Sequence, residues 1–489
     1  MLLQQLLNGI AIKQSLGSTE VEVKDFFIDS RQIGPETLFV ATIGTNVDGH
    51  QFIEKAIASG ANAIVCEQLP QETQDSITYI VVKNSQEAFA KIAATFFGNP
   101  AQKLTIIGIT GTNGKTSVAT LLHSLFHRLG FMPGLVSTIR YLVGNEEFPA
   151  SHTTPDPKQL HRMFAQMVEL GSEYCFMEVS SHALVQQRTL GVPFRVAVFT
   201  NITHDHLDYH GTFAEYIKAK KLLFDNLDKD ACAIINTDDR HAKVMVQNCQ
   251  ATVKTFAVKR MAAYRARILD NTFEGLQIRI NDREAWFRLV GSFNAYNLLA
   301  AYAVARELGF EQEEILQKLS LVARVEGRFE SLRAPQTGKT AIVDYAHTPD
   351  ALKNVLQTIK DVNQNHMQGQ VITVVGCGGN RDAEKRPKMA KIAADLSNKV
   401  ILTSDNPRDE EPQSIIDQME KGIPLDQKFK VMQIVNRREA IKVAVQLAQP
   451  QDIILIAGKG HETYQEVKGV RQPFDDREEV RKAFDLLKQ

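Results

Sequence analysis

The sequence has little of several features that would mark a specialised class of protein. Its five cysteines are few, odd in number and scattered, with no CxxC pair. This usage argues against a disulfide scaffold and favours a reducing, cytoplasmic compartment. No apolar run approaches the roughly 18 residues that a membrane helix needs. Because residues 1–14 carry no basic leader, we expect neither a signal peptide nor membrane insertion.

An excess of charge of either sign is also missing. The 56 Lys and Arg residues balance 57 Asp and Glu residues, which leaves a net charge of -1. No global basic field is available to hold nucleic acid, so we expect no nucleic-acid partner. The hydrophobic share of 44% and the charged share of 23% are ordinary for a globular protein and exclude a disordered or fibrous chain. Any anionic ligand must therefore be held by local arrangements of residues.

Strand-like and helical patterns alternate along the chain, which is typical of a wound, mostly parallel sheet. At roughly 150 residues per domain, 489 residues predict about three domains. We place one boundary at the break Gly98-Asn99-Pro100 and the other after Gly327-Arg328. The sequence thus predicts an α/β fold. Its parts are a small N-terminal α/β domain, a central P-loop-type domain with a wound parallel sheet, and a C-terminal domain with a Rossmann-like sheet, over residues 1–99, 100–328 and 329–489.

A glycine-rich segment at 110–117 lies between a predicted buried strand and a predicted helix, which is the setting of a P-loop. Its backbone N–H groups and the helix N-terminus can hold phosphate. Lys115 can reach the β- and γ-phosphates, and the Thr116 hydroxyl can bind Mg²⁺. The usual spacing asks for glycine at position 109, which is Ile109, so the loop is a variant. A glycine turn that binds nothing is the alternative. The predicted nucleotide-binding residues here are Gly111, Thr112, Asn113, Gly114, Lys115, Thr116 and Ser117.

Three further groups of polar residues follow strands of the central block. Glu178 ends one strand and could bind Mg²⁺, although a carboxylate paired within the protein is an equal alternative. Residues 203–210 contain three His and two Asp, which could bind Mg²⁺ or, less convincingly, zinc, or could form a solvated loop. Lys218, Lys220 and Lys221 share a predicted helix, where three surface lysines would be the ordinary expectation.

Three polar motifs in the last block each follow a predicted buried strand. Because the carboxyl ends of parallel strands meet at one edge, these motifs should converge on one crevice. Arg381, Arg408 and Glu462 together would suit a zwitterion, with guanidinium groups for carboxylates and a carboxylate for an ammonium. Turns that serve only chain reversal are the alternative. The motifs are residues 376–382, 405–408 and 458–462.

Taken in order, these motifs resemble those of the Mur ligase family, and the resemblance spans nearly the whole chain. Any one of them is a weak signal, but their order and spacing are very specific. The segments that carry the resemblance are 29–31, 110–117, 153–155, 178–182, 205–211, 291–294 with Asn297, 327–328, 344–347, 376–381, 405–408 and 458–462.

The resemblance implies roles for individual residues. Ser30 and the loop 44–50 would hold the UDP end of one substrate, and the central domain would bind MgATP. Lys220 matches the lysine that the family carbamylates with CO₂, which turns an ammonium into an anion. The positions that match the muramoyl dipeptide site are Thr153, Thr154, Ser180 and Arg188. Those that match Mg²⁺ ligands are Thr116, Glu178, His206 and carbamylated Lys220. Those that match ATP contacts across the domain junction are Asn294, Asn297 and Arg328, followed by Asp344 and His347 at the start of the third domain. The implied catalytic set is Lys115, Glu178, His206, Lys220 and His347.

The implied activity is that of an ATP-dependent acid–D-amino-acid ligase, which forms an amide bond through an acyl phosphate in peptidoglycan precursor synthesis. The motif at 405–408 resembles that of the members that add meso-diaminopimelate to UDP-N-acetylmuramoyl-L-Ala-D-Glu. Arg408 could pair with the second carboxylate of diaminopimelate, which lysine lacks. The implied amino-acid site consists of Arg381, Asp405, Asn406, Arg408, Gly458 and Glu462.

Other activities stay open at this stage. A lysine-adding member of the family is the nearest, followed by a ligase like folylpolyglutamate synthase and by a P-loop NTPase that is not a ligase. The first 100 residues and the motif at 405–408 argue against folylpolyglutamate synthase. We expect a monomer that acts on small molecules.

Overall fold

The computed structural model describes residues 1–44, 47–334, 337–366 and 369–487, and it confirms the predicted α/β class. Residues 45 and 46 of the loop expected to hold a UDP group lie outside the described residues. No helix within the described ranges is long and apolar enough to cross a membrane. The chain divides into two compact units, and the three-domain division stays a prediction. The first unit is Met1–Thr110, Gly130–Ala197 and Asp225–Ala231, and the second is Gly111–Leu129, Val198–Phe224 and Cys232–Gln489.

The strands, numbered in chain order, are Ile12–Leu16 (β1), Asp25–Phe27 (β2), Thr37–Val40 (β3), Ala61–Cys66 (β4), Thr78–Val82 (β5), Thr105–Thr110 (β6), Gly134–Val136 (β7), Arg140–Val143 (β8), Glu146–Pro149 (β9), Tyr174–Glu178 (β10), Phe194–Phe199 (β11), Cys232–Asn236 (β12), Thr252–Ala257 (β13), Tyr264–Asn271 (β14), Leu276–Ile280 (β15), Arg283–Phe287 (β16), Glu330–Ala334 (β17), Lys339–Asp344 (β18), Val371–Val375 (β19), Lys399–Leu402 (β20), Val431–Gln433 (β21), Ile453–Ala457 (β22), Tyr464–Val467 (β23) and Val470–Pro473 (β24).

The α-helices, numbered in the same way, are Leu3–Leu6 (α1), Ile53–Ala58 (α2), Ser85–Phe96 (α3), Lys115–Arg128 (α4), Pro157–Glu169 (α5), Ser181–Val185 (α6), Leu207–His210 (α7), Phe213–Asp225 (α8), Ala242–Met245 (α9), Ser292–Glu307 (α10), Gln312–Ser320 (α11), Pro349–His366 (α12), Lys385–Leu396 (α13), Pro412–Glu420 (α14), Arg437–Leu447 (α15) and Asp476–Leu486 (α16). Short 3₁₀ helices are Ser30–Gln32, Gly49–Phe52, Pro100–Lys103 and Leu425–Lys430.

The first unit begins with a five-stranded sheet in the order β1-β5-β4-β3-β2, in which β1 runs antiparallel to the parallel remainder. Successive side chains of β4 alternate between the two faces, as strand geometry requires. Ala63 and Val65 pack into the core beneath α3, and Ile64 and Cys66 pack into the core beneath α2. Both faces are therefore covered, which explains the continuous apolar run of this strand.

The same unit contains a second group of strands, with β10 between β6 and β7 in parallel. Strands β8 and β9 extend this group in antiparallel fashion from β7. Glu178 is the last residue of β10, and it lies opposite Ile109 of β6. The strand end therefore presents a carboxylate at the carboxyl edge, where α/β sheets carry their ligands.

In the second unit, β12, β13 and β14 are parallel neighbours, and β14, β15 and β16 form an antiparallel meander. The C-terminal sheet has the order β17-β18-β22-β19-β20-β21, and only β17 runs antiparallel. Its register aligns Asp344 with Ala457, Ala457 with Val375, and Val375 with Leu402. The loops that follow these four strands thus begin along one line at one edge of the sheet.

A buried ion pair joins the first turns of α15 and α16. Arg437 Nε and Nη2 donate to the two carboxylate oxygens of Asp476 at 2.8 and 2.7 Å, and Nη2 also donates to Ala457 O at 3.0 Å. Both side chains are completely buried. Since Ala457 ends β22, this pair anchors the strand from which the motif at 458–462 begins.

We predict that Asp476→Asn destabilises the protein by about 3–5 kcal/mol, because it leaves the Arg437 charge buried without its partner. Glu478→Gln is the matched control, since Glu478 pairs with Lys482 on the exposed side of the same helix and such pairs contribute little. Urea unfolding of both variants measures the difference. Equal transition midpoints for the two variants would show that the buried pair is not a structural anchor.

Candidate active site

The glycine-rich segment runs from β6 to α4, as the sequence predicted. Ile109 is fully buried within β6, so the turn opens two residues later, at Gly111. Gly111 has φ +148°, and a Cβ atom there would lie 1.9 Å from Thr200 Oγ1. No other residue fits this position without movement of the chain behind it. This geometry explains why the glycine spacing departs from the usual P-loop pattern.

Two residues that directly follow β11 make hydrogen bonds to the glycine-rich segment 110–117, which we call the phosphate loop. Asn201 Oδ1 accepts the Asn113 N–H at 2.9 Å, and the Thr200 hydroxyl donates to Asn113 O at 2.6 Å. The Thr112 hydroxyl lies 3.1 Å from the hydroxyl of Tyr216. Thr200 and Asn201 were not among the predicted site residues. The sequence feature that could have identified them is a pair of polar residues directly after a buried strand, where α/β sheets place their ligands.

Two lysine amines share the carbonyl oxygen of Gly111. Lys115 Nζ donates to it at 2.9 Å and Lys220 Nζ at 2.8 Å. Lys220 is 1% exposed, whereas Lys218 on the same helix is open to solvent. Burial, and then repulsion from Lys115, holds the pKa of Lys220 well below its ordinary value, against the attraction of Asp205. The surroundings of Lys220 therefore favour the uncharged amine.

Asp205 lies beside these lysines and was missed as a site residue, although it belongs to the predicted His and Asp run. Burial would raise the pKa of Asp205, but His206, His347, Lys385 and Lys115 outweigh burial and bring the pKa to about 2. Its Oδ1 accepts the His206 N–H at 3.0 Å, and its Oδ2 lies 3.4 Å from His206 Nε2. Burial, followed by the charge of Lys385, lowers the pKa of His347 to about 4. Asp205 thus stays ionised, and His347 stays neutral, at physiological pH.

The predicted His and Asp run divides between two environments. His204 Nε2 lies 3.0 Å from Asp382 Oδ2. With Glu384, these two side chains form a cluster whose potential metal-ligand atoms all lie within 4.8 Å of one another. Asp205 and His206 instead pair with each other, with 3.4 Å between Oδ2 and Nε2, so the run does not form a single cluster.

Two asparagines of α10 approach the phosphate loop. Asn297 Nδ2 donates to Asn294 Oδ1 at 2.8 Å, and Asn294 Nδ2 donates to Val290 O at 2.8 Å. Asn297 Oδ1 lies 2.6 Å from the point that a Cβ atom would occupy at Gly114. The pair thus presents an ordered amide against the loop backbone, and its role in ATP binding stays a prediction.

Arg328 also reaches the phosphate loop. Its Nη2 donates to Thr116 Oγ1 at 3.1 Å, and its guanidinium lies 4.5 Å from the centre of the Tyr345 ring. Burial raises the pKa of Asp344 to about 6 against the opposing charge of Arg328, and Asp344 Oδ2 accepts the Phe329 N–H at 2.7 Å. Arg328 Nε is buried without a hydrogen-bond partner among the described residues. A buried donor of this kind suits an anion at the loop.

The residues predicted to bind the muramoyl dipeptide all lie in the first unit. Glu178 is fully buried, and its Oε1 accepts the Thr138 N–H at 2.7 Å. The Thr138 hydroxyl lies 3.1 Å from Glu178 Oε2 and 3.0 Å from Thr153 Oγ1. The Thr154 hydroxyl donates to Glu178 O at 2.8 Å and accepts the Ser180 N–H at 3.1 Å. Thr138, which links Thr153 to Glu178, was not predicted.

Arg188 joins this group through Thr154. Its Nη1 donates to Thr154 O at 2.7 Å, and its Nε and Nη2 both donate to Gln186 Oε1, at 3.0 and 2.6 Å. Thr153, Thr154, Ser180 and Arg188 therefore lie together, as the sequence predicted. Ser30 is buried at the start of its own 3₁₀ helix in the same unit.

The three motifs of the C-terminal sheet also meet. Asn406 Nδ2 donates to Glu462 Oε2 at 2.8 Å, and Arg408 Nη1 donates to Gly379 O at 2.8 Å. Gly458 has φ +120°, and a Cβ atom there would lie 2.5 Å from Asp405 Oδ2. The predicted convergence of strand ends is confirmed for these residues.

The two arginines expected to bind carboxylate flank one glycine. A Cβ atom at Gly378 would lie 3.0 Å from Arg408 Nη1 and 3.8 Å from Arg381 Cγ. Arg408 has φ +52°, which is uncommon outside glycine and marks a locally constrained backbone. The guanidinium groups of Arg381 and Arg408 thus lie at the same edge of the sheet as the carboxylates of Asp405 and Glu462.

Three family models match most of this chain. The Mur ligase family catalytic domain matches residues 22–97, the Mur ligase middle domain matches residues 109–305, and the Mur ligase glutamate ligase domain matches residues 327–460. The chain belongs to the Mur ligase family. It is therefore an ATP-dependent ligase, as the sequence predicted.

Two full-length relatives and one solved structure that are similar to this Mur ligase share one name. A UDP-N-acetylmuramoyl-L-alanyl-D-glutamate–2,6-diaminopimelate ligase from Cytophaga hutchinsonii is 50% identical over 488 residues, which cover 100% of both chains. A relative of the same name from Phocaeicola vulgatus is 48% identical over 484 residues, which cover 99% of both. A solved structure of a ligase of that name is 33% identical with a TM-score of 0.68, and the match covers 100% of this Mur ligase and 99% of that chain.

We predict that Gly111→Ala lowers the affinity of this Mur ligase for ATP by at least about tenfold, or ~1.4 kcal/mol. The added methyl group collides with Thr200 and pushes the loop out of its phosphate-binding shape. Gly130→Ala is the control, because Gly130 has φ +97° but open space around it, so it shares the backbone strain without the collision. Calorimetric titration with ATP compares them. An affinity that falls equally in both variants would contradict the steric account.

Proposed function

We propose that this Mur ligase adds meso-diaminopimelate to UDP-N-acetylmuramoyl-L-Ala-D-Glu, with conversion of ATP to ADP and phosphate, in bacterial peptidoglycan precursor synthesis. The observation that carries the proposal is the meeting of Arg408, Asn406 and Glu462 at one sheet edge. The names of the full-length relatives agree with it. A cytoplasmic location and a monomeric state are parts of the same proposal.

The reaction has two steps. The γ-phosphoryl group of ATP passes to the D-Glu carboxylate and gives an acyl phosphate, and the amine of the incoming amino acid then attacks the acyl carbon and displaces phosphate. Two anions must approach in the first step, so the cationic Lys115 and Arg328 beside the loop would offset their repulsion. Thr153, Thr154, Ser180 and Arg188 would hold the dipeptide, and positioning supplies much of the remaining acceleration.

Magnesium would be held by Thr116, Glu178, His206 and Lys220 in its carbamylated form. Carboxylate, carbamate and hydroxyl oxygens are the hard ligands that Mg²⁺ prefers. When bound, Mg²⁺ neutralises charge on the transferring phosphoryl group. Carbamylation requires an uncharged amine, since a new bond forms between Nζ and the carbon of CO₂ and a proton leaves. The burial of Lys220 beside Lys115 supplies that amine.

The amino-acid site would bind both a carboxylate and an ammonium group of its ligand. Arg408, with Arg381 beside it, would pair with the carboxylate that distinguishes meso-diaminopimelate from L-lysine. Asp405 and Glu462 would receive an ammonium group next to Gly458. A lysine-adding ligase has no anion to place against Arg408, so the partly buried guanidinium would lack a charge partner there.

The remaining assignments follow the motifs. The loop from Gly111 to Ser117, with Asn294, Asn297, Arg328, Asp344 and His347, would bind ATP, and Ser30 would contact the UDP group. We also propose three domains at residues 1–99, 100–328 and 329–489. The ranges of the three family models, which leave gaps near both boundaries, support this division.

The amino-acid preference is tested by phosphate release from ATP in the presence of UDP-N-acetylmuramoyl-L-Ala-D-Glu. We expect release with meso-diaminopimelate and little with L-lysine. Equal or faster turnover with L-lysine would favour the lysine-adding alternative. Release that ignores both the UDP substrate and the amino acid would favour an NTPase that is not a ligase.

We predict that Arg408→Ala lowers kcat/KM for meso-diaminopimelate by at least about 100-fold, since a desolvated guanidinium–carboxylate pair contributes about 2–5 kcal/mol. The KM for ATP should stay within about twofold, a change of less than ~0.5 kcal/mol. Arg481→Ala, at an exposed arginine of α16, serves as the control. Loss of ATP binding in Arg408→Ala would contradict the assigned role.

We predict that Lys220→Arg abolishes ligation, because guanidinium cannot form the carbamate and places a positive charge where an anion is required. Lys218→Arg, on the exposed side of the same helix, should keep normal activity. Steady-state rates of both variants, with ATP affinity measured in parallel, provide the check. Ligation by Lys220→Arg at the wild-type rate would refute the carbamate.

A further inference from the structure

Lys459 is one of the residues in the motif at 458–462 to which the sequence assigned no role. Lys459 is 0% exposed, which is rare for a lysine and requires partners for its charge. Its Nζ donates to Asn406 Oδ1 and to Glu462 Oε2, both at 2.9 Å. Asp405 Oδ1 lies 3.9 Å from the same atom. One ammonium group thus connects three of the residues proposed to bind the amino acid.

These contacts leave the Asn406 amide a single orientation. Its Oδ1 accepts from Lys459 Nζ and from the Glu466 N–H, each at 2.9 Å. Its Nδ2 therefore faces the other way and donates to Glu462 Oε2 at 2.8 Å. Asn406 follows β20 and Glu462 follows β22, so Lys459 joins the loops of two different strands.

The ionisation of the two neighbouring carboxylates, Asp405 and Glu462, also depends on the positive charge of Lys459. Burial raises the pKa of Glu462, and the charge of Lys459 opposes that rise. Burial also acts to raise the pKa of Asp405, but Lys459 and then Arg437 outweigh it, and the pKa of Asp405 lies below its ordinary value. Without Lys459, burial and the neighbouring Asp405 would favour protonation of Glu462, and a protonated acid attracts an ammonium group poorly.

We propose that Lys459 is the positioning residue of the amino-acid site: its ammonium holds Asn406 and Glu462 in the arrangement that receives the ammonium of the incoming amino acid. The inference rests on the proposed function, since it assumes an amino-acid substrate at this edge. Lys459 is completely buried, so it acts through Asn406 and Glu462 and not by contact with the substrate.

The test is Lys459→Met, which keeps a long side chain and removes the charge. We expect the KM for meso-diaminopimelate to rise by at least about tenfold at neutral pH, with a smaller change in kcat. The KM for ATP should stay within about twofold. An unchanged KM for the amino acid, or an equal rise in both KM values, would overturn the inference.

A pH profile separates positioning from general damage. The charged and titratable groups around Glu462 are Lys459, Asp405, Arg437, Tyr345 and Tyr464. We expect the ratio of the KM of Lys459→Met to that of the wild type to fall from neutral to mildly alkaline pH, as Glu462 loses its proton. The wild type corrects for ionisation of the substrate. A ratio that does not change with pH would contradict the role of Lys459 in keeping Glu462 ionised.

A second variant covers the case in which Lys459→Met does not fold. Glu462→Gln removes one of the two carboxylate charges that Lys459 compensates, so the double variant Lys459→Met/Glu462→Gln leaves less unpaired charge buried. Its KM should lie above that of Glu462→Gln alone, because the contact that holds Asn406 is lost as well. A KM equal to that of Glu462→Gln would overturn the inference. The wild-type assay with meso-diaminopimelate comes first, and its failure would count against the proposed function and not against the contacts of Lys459.

Discussion

The carbonyl oxygen of Gly111 receives the amines of both Lys115 and Lys220, and the proposed chemistry depends on this crowding. Two ammonium groups at one buried point repel each other, and desolvation adds to the free energy of keeping both charged. Lys220 is the more deeply buried of the two, so its pKa falls. An uncharged amine can take up CO₂ and become an anion. The positive charge of Lys115 would then stand beside a negative charge, in a form that suits both a metal ion and a phosphate.

At the C-terminal sheet, too, buried charged groups control the ionisation of their neighbours, because each lies close to a group of opposite charge. Lys459 compensates Asp405 and Glu462, and Arg437 pairs with Asp476 behind the same strand. A chain with a net charge of -1 offers no long-range field for anionic substrates. In the proposed function, recognition would rest on single lysines and arginines at strand ends, and contacts within the protein already hold Lys115, Arg328 and Arg408.

The sequence predicted the strand ends well, because a buried apolar run followed by Gly, Asp or Asn marks the carboxyl end of a parallel strand. It predicted less about which polar residues lie beneath a site. Lys218 and Lys220 differ by two positions, about 200° around a helix, and the pattern of three lysines does not say that Lys220 and Lys221 are the buried ones. Thr200, Thr138 and Lys459 were missed for a related reason, since their partners lie in other loops that only the folded sheet brings near.

The most direct test of carbamylation at Lys220 is ¹³C NMR of the protein equilibrated with ¹³C-bicarbonate. The wild type should give a protein-bound carbamate signal that disappears in Lys220→Arg and persists in Lys218→Arg. A wild-type spectrum without that signal, or a signal that survives in Lys220→Arg, would contradict carbamylation at Lys220.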